Sequence, residues 1–213
     1  VCFDVDSTVC TDEGIDELAA FCGAGEAVAA LTASAMGGSV PFQDALAARL
    51  DLIKPSAPVV ASFLADHPPR LCPGIAELVA ALHGAGKAVF LVSGGFTQMI
   101  HPVADLLAIP RDRVFANTLL FDAASGAAAG FDTTAFTSRA GGKAAAIKHI
   151  KAASGGALAP MVMIGDGATD LEARMPGGAD LFIGYGGVAQ RKVVMDGADW
   201  FVTSFTPLID GLR

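Results

Sequence analysis

Short, unbroken apolar blocks recur along the chain, each ending in glycine, serine or aspartate. They are VCFDV at the start, AVFLVSGG (88–95), MVMIGDG (161–167), LFIGYGG (181–187) and DWFVTS (199–204). Polar residues scarcely alternate within them, which predicts strands covered on both faces. Between the blocks, apolar residues return at helical spacing near 74–85, 96–108, 141–154 and 188–196. Strand and helix in alternation predict parallel strands joined by right-handed crossovers. One stretch, TLLFDAASGAAAGFD (118–132), reads as a short hairpin turning at Ala-Ser-Gly.

Residues 13–71 break this rhythm. EGIDELAAFCG, GEAVAALTASAM, PFQDALAARLDLI and APVVASFLADH are helical in period, punctuated by Gly or Pro, with no strand among them. The expected fold class is therefore α/β: a doubly wound, mainly parallel Rossmann-like sheet with a small four-helix unit inserted after the first strand. That divides the chain into a core of 1–12 and 72–213 and a helical segment of 13–71. No repeat or low-complexity linker separates them, so the two parts should share a cleft.

Composition narrows the function classes. At 213 residues the chain can bury a sizeable core, and its 53% apolar content owes much to alanine, which favours close helix packing. No run of about 18 apolar residues predicts a transmembrane helix. A net charge of −8 argues against nucleic acid or an anionic membrane as partner, since both call for basic patches. Cys2, Cys10, Cys22 and Cys72 have no C-x-x-C or zinc spacing and read as reduced, mostly buried thiols. The expected setting is soluble and intracellular, cytoplasmic or organellar. Only three residues precede Asp4, so any targeting segment would lie upstream of Val1.

The strand ends carry the polar chemistry. Asp4 and Asp6 close the first block two positions apart and would repel unless a cation intervenes or one is protonated. Ser93-Gly94-Gly95 closes the second, and Gly165-Asp166-Gly167 a later one, with Asp170 four residues beyond Asp166. Open α/β sheets bind ligands beyond the carboxyl ends of their strands. Four carboxylates gathered there suit a hard cation held through oxygen, with Mg2+ the best match. Ser93 is expected to cap a helix beginning near Phe96, making a seat for an anion. Lys143 opens another helix, at the end where the macrodipole disfavours a cation. Singly, each feature has a bland reading: a turn at Asp6-Ser7-Thr8, a helix cap, an exposed lysine. Together they point to one phosphate site.

DVDST at 4–8, SGG at 93–95, GGK at 141–143 and GDGATD at 165–170 stand in the order of the four motifs of the haloacid dehalogenase superfamily, and the helical insertion resembles that superfamily's cap. More narrowly, FDVDSTV with EGIDELA, AMGGSVPF, LVSGGF, VFAN and MIGDGATD are similar to the phosphoserine phosphatase family. The resemblance spans essentially the whole chain. It implies Mg-dependent hydrolysis of O-phosphoserine to serine and phosphate, the last step of serine biosynthesis, through an aspartyl-phosphate. Asp4 would be the nucleophile and Asp6 the acid and then the base. Asp4, Asp6 (by its carbonyl) and Asp166 would hold the metal, with Asp170 orienting its shell. Ser93, Gly94 and Lys143 would bind the phosphoryl oxygens.

Phosphoserine also presents an ammonium and a carboxylate. In PFQDALAARLDLI the spacing Phe42, Leu46, Arg49, Ile53 sets Arg49 on the apolar stripe, where it must snorkel or find an anion. The resemblance makes Arg49 the clamp on the substrate carboxylate and Glu13 the acceptor of its ammonium. It sets Met36 and Gly37 over the short methylene, with Thr169 and Asn117 within reach. His67, His83, His101 and His149 match no catalytic spacing. Gly14 and residues 71–74 are expected hinges. A homodimer is left open. Two other readings stand beside the main one: phosphoryl transfer to another alcohol or action on a different small phosphorylated metabolite, and a non-catalytic sensor.

Overall fold

The computed structural model describes residues 1–35 and 41–212. The chain begins with β1 (Cys2–Phe3) and then four helices, α1 (Gly14–Phe21), α2 (Gly25–Ala35), α3 (Phe42–Ile53) and α4 (Ala57–Asp66). It continues with α5 (Ile75–Gly84), β2 (Phe90–Phe96), α6 (Thr97–Leu106) and β3 (Val114–Asn117), then the hairpin strands β4 (Leu119–Phe121) and β5 (Ala128–Phe131). The last third holds α7 (Gly142–Ala153), β6 (Val162–Gly165), α8 (Ala168–Leu171), β7 (Leu181–Tyr185), α9 (Lys192–Gly197), β8 (Trp200–Val202) and α10 (Thr206–Asp210).

Six strands form one sheet in the order β3-β2-β1-β6-β7-β8, every neighbouring pair parallel. From β1 the chain winds outward through β2 and β3, then returns to the other side for β6, β7 and β8. The reversal in strand order therefore falls at β1, which pairs with β2 and β6 at once. Residues alternate strictly between the two faces, as a pleated strand requires. Phe3, Leu91 and Ile164 pack against α5, α6 and α10 on one face, while Cys2, Phe90, Val92 and Met163 meet α7 on the other. Both faces are apolar, which is why these strands showed no polar alternation in sequence.

The four helices α1–α4 bury their own cluster, including Leu18, Val28, Leu46, Leu50, Val60 and Phe63, closed below by Phe96 and Leu119. The β4–β5 hairpin reaches this unit too: Ala57 N donates to the Gly126 carbonyl at 2.8 Å. Three details differ from the sequence expectation. β3 (114–117) is a strand the periodicity did not mark, because it is four residues long and half-buried at the sheet edge. The helix anticipated over 188–196 spans only 192–197. The short helices α8 and α10 carry too few turns to leave a periodic signature.

Phe182 on β7 is fully buried under α7 and α9. Phe182→Ala should cost about 3–5 kcal/mol, the range for deleting a core phenyl ring. Urea denaturation midpoints measure it; a loss below about 1 kcal/mol would contradict this packing.

Candidate active site

The site is built where β1 ends. Asp4 continues the ladder through its backbone, Asp4 N donating to Ile164 O at 2.9 Å, and Val5 N donates to Asp4 Oδ1 at 2.8 Å. The chain then coils tightly, with Val5 O accepting from the amides of Val9 and Cys10, and Ser7 adopts a left-handed φ of 53°. This coil brings Asp6 over the mouth of the sheet. Its Oδ1 accepts from Gly14 N at 2.9 Å, at the entry to α1. Burial, then the neighbouring Asp4, pushes the Asp6 carboxyl up to about 7. One of two adjacent acids thus keeps its proton near neutral pH, as the opening spacing required.

Lys143 lies at the start of α7, only 7% exposed. Its Nζ stands 2.8 Å from Asp4 Oδ1 and 2.6 Å from Asp170 Oδ1. Burial alone would lower the lysine pKa, yet Asp170 and Asp4 outweigh it and raise it. The bland expectation of an exposed lysine is wrong here, because the two carboxylates more than offset both burial and the helix end. Asp170 is fully buried; its other oxygen accepts from Gly167 N at 3.0 Å.

Asp166, at the end of β6, is also buried. Thr8 Oγ1 donates to its Oδ1 at 3.1 Å, while Arg191 donates to Oδ2 through Nε and Nη2 at 3.0 and 2.9 Å. Burial and Asp4 raise the Asp166 carboxyl. Arg191 is the residue that sequence reading missed. It follows β7 and so opens on the same rim as the other strand ends; only that placement, with no motif, could have flagged it. Its Nη2 also stands 3.7 Å from Glu13 Oε1, which accepts from Ser7 Oγ at 2.8 Å.

Ser93 departs from expectation. β2 runs on to Phe96, paired with Asn117, so α6 begins at Thr97 and has no side-chain cap. The buried Ser93 Oγ instead accepts from Gly95 N at 3.0 Å and shapes the loop locally. Gly94 lies beneath Phe42 of α3, where an added Cβ would come within 3.2 Å of the ring. Asn117 is buried under this loop, donating to Gly94 O at 2.7 Å and accepting from Thr137 Oγ1. It is one step removed from the cleft.

The cleft between the sheet rim and α3 encloses about 720 Å³. Asp4, Asp6, Gly94, Lys143 and Asp166 line one side, Phe42, Leu46 and Arg49 the other, with Glu13, Thr169 and Arg191 also on its walls. Met36 and Gly37 lie outside the described residues. Carboxylate oxygens of Asp4, Asp166 and Asp170 lie within 4.8 Å of one another, an all-oxygen donor set suited to a hard cation. Three carboxylates, Asp4, Asp166 and Asp170, share two paired cations there, Lys143 and Arg191. Among the described residues no helix is long and apolar enough to cross a membrane.

Comparison with known proteins agrees with this arrangement. Residues 1–174 match the haloacid dehalogenase-like hydrolase family. Over its full length the chain is 61% identical to a chloroplastic phosphoserine phosphatase of Arabidopsis thaliana, covering 71% of that protein. It is 51% identical to the phosphoserine phosphatase of Bos taurus, covering 92% of it. The structure of a phospho-aspartyl intermediate analogue of phosphoserine phosphatase superimposes with a TM-score of 0.82 at 27% identity, the match covering 100% of this chain and 97% of the other. The chain belongs to the haloacid dehalogenase-like hydrolases and, within them, to the phosphoserine phosphatases.

Proposed function

We propose that this enzyme hydrolyses O-phospho-L-serine to serine and phosphate through an aspartyl-phosphate on Asp4. The observation that carries it is a carboxylate held by a buried lysine, Asp4 to Lys143 at 2.8 Å, beside a second acid, Asp6, whose carboxyl is pushed up to about 7. Two donors on Asp4 Oδ1, from Lys143 and Val5 N, fix the plane of the carboxylate for attack on phosphorus. As the new P–O bond forms, the bond to the serine oxygen breaks, and Asp6 donates its proton to that oxygen. Asp6, now ionised, takes a proton from water as the water attacks phosphorus and releases Asp4.

Ser93, the Gly94 amide and Lys143 receive the phosphoryl oxygens. Asp4, Asp166 and the Asp6 carbonyl would hold Mg2+, with Asp170 orienting this shell through Lys143 and Gly167. When bound, the ion supplies neutralising charge at the phosphoryl group. Arg191 pairs with Asp166 and links it to Glu13. On the opposite wall Arg49 takes the substrate carboxylate, while Glu13 takes its ammonium and Thr169 lies beside them on the cleft wall. The helices α1–α4 then act as a cap whose closure excludes water.

Phosphoserine, phosphothreonine, a sugar phosphate and an aromatic phosphate should be assayed side by side with magnesium. Phosphoserine is expected to dominate by kcat/KM, and equal turnover of all four would refute the substrate assignment. Asp4→Asn should lower turnover by about 10⁴-fold or more while circular dichroism stays unchanged. Chelation with EDTA should abolish activity, and added Mg2+ should restore it; full activity in chelator would remove the metal from the scheme.

A further inference from the structure

Arg49 is oriented before substrate arrives, by a neutral partner. Its Nη2 donates to Thr32 Oγ1 at 3.0 Å, across from α3 to α2. The Thr32 hydroxyl donates in turn to the Val28 carbonyl one turn back, at 3.0 Å, and Val28 is buried in the core of the four helices. With its own proton committed to Val28, the hydroxyl presents only a lone pair to the guanidinium. The direction of both bonds is thereby set.

Among the described residues no carboxylate pairs with this guanidinium. None of the ion pairs among the described residues involves Arg49, and its Nε, though buried, has no hydrogen-bond partner among them. A buried N–H without an acceptor is costly unless a ligand supplies one. A carboxylate partner within the protein would satisfy it but compete with an incoming carboxylate. A threonine hydroxyl fixes the plane of the group without cancelling its charge.

Resting on the reading of Arg49 as the carboxylate clamp, we propose that Thr32 is a positioning residue for substrate selection, holding Arg49 in the plane that engages the amino-acid carboxylate. Thr32 touches no substrate and acts only through Arg49. Its removal should therefore affect substrates that carry a carboxylate and spare those that lack one.

The test compares phosphoserine with phosphoethanolamine, which keeps the phosphate and ammonium but has no carboxylate, read as substrate or as competitive inhibitor. Thr32→Val should raise KM for phosphoserine about tenfold to a hundredfold, the size expected for one hydrogen bond to a charged group, with kcat nearly unchanged. Phosphoethanolamine binding should stay within about twofold, and Thr32→Ser should restore the phosphoserine KM. Arg49→Ala should raise the phosphoserine KM more strongly, and adding Thr32→Val to it should cost nothing further. Should Thr32→Val fail to fold, judged by thermal melting, Thr32→Ala serves in its place. If Arg49→Ala weakens both ligands equally, the clamp itself is wrong and the inference falls with it. If Arg49→Ala discriminates but the Thr32 variants change nothing, weaken both ligands equally, or add fully to Arg49→Ala, the clamp stands and the role of Thr32 is overturned.

Discussion

One buried ammonium organises the catalytic rim. Lys143 is almost inaccessible and lies between Asp4 and Asp170, within 2.8 Å of each. Its position is unfavourable on two counts, loss of hydration and the positive end of the α7 dipole. The dipole opposes a cation by about 0.3–1 kcal/mol, whereas two close carboxylates attract it several times more strongly even at an effective dielectric near 20. The carboxylates win, and the lysine remains charged. Removal of any one member would leave a buried charge without its counterpart, so the three residues stand or fall together.

Sheet topology makes that contact possible. Asp4 and Asp166 are separated by most of the chain, yet β1 and β6 are adjacent and in register, Phe3 opposite Ile164. Ser93 comes from β2 on the other side of β1. Three strand ends thus meet where the strand order reverses, the one place on an open sheet where neighbouring loops part to leave a crevice. Gly165 shows how tight the junction is. Asp170 folds back against its Cα so closely that a Cβ there would overlap the aspartate side chain. A glycine at the end of β6 is a packing requirement of the charge cluster itself.

Much of this was legible in sequence because buried parallel strands are unbroken apolar runs and their ends are abruptly polar. Asp4, Asp6 and Asp166 stood out by that contrast, Asp170 by lying four residues beyond Asp166, Lys143 by opening a helix at the end that disfavours a cation, and Arg49 by its place on an apolar stripe. The helix start near Phe96 was right to one residue, but Ser93 was misjudged as its cap since sequence cannot tell how far a strand persists: β2 runs on to Phe96, paired with Asn117, and α6 follows directly at Thr97. Arg191 sits among polar residues at 190–192 that resemble any exposed helix start, and its significance appears only once β7 is seen to end on the shared rim. Thr32 carries no sequence signal at all, because its meaning depends on the pairing of α2 with α3.

Charge divides the labour between sheet and helices. The molecule carries a net charge of −8, a field that repels a phosphorylated amino acid at long range. Recognition must then come from cations inside the cleft, where the low dielectric strengthens them and salt screens them least. Lys143 and Arg191 are already engaged by carboxylates, so their charge is mostly spent in holding the rim together. Arg49, held by a neutral hydroxyl, keeps its charge available. On the proposed reading the sheet rim supplies reactivity toward a phosphate monoester that reaches Asp4, and Arg49 on the opposite wall, together with Glu13, selects among such esters.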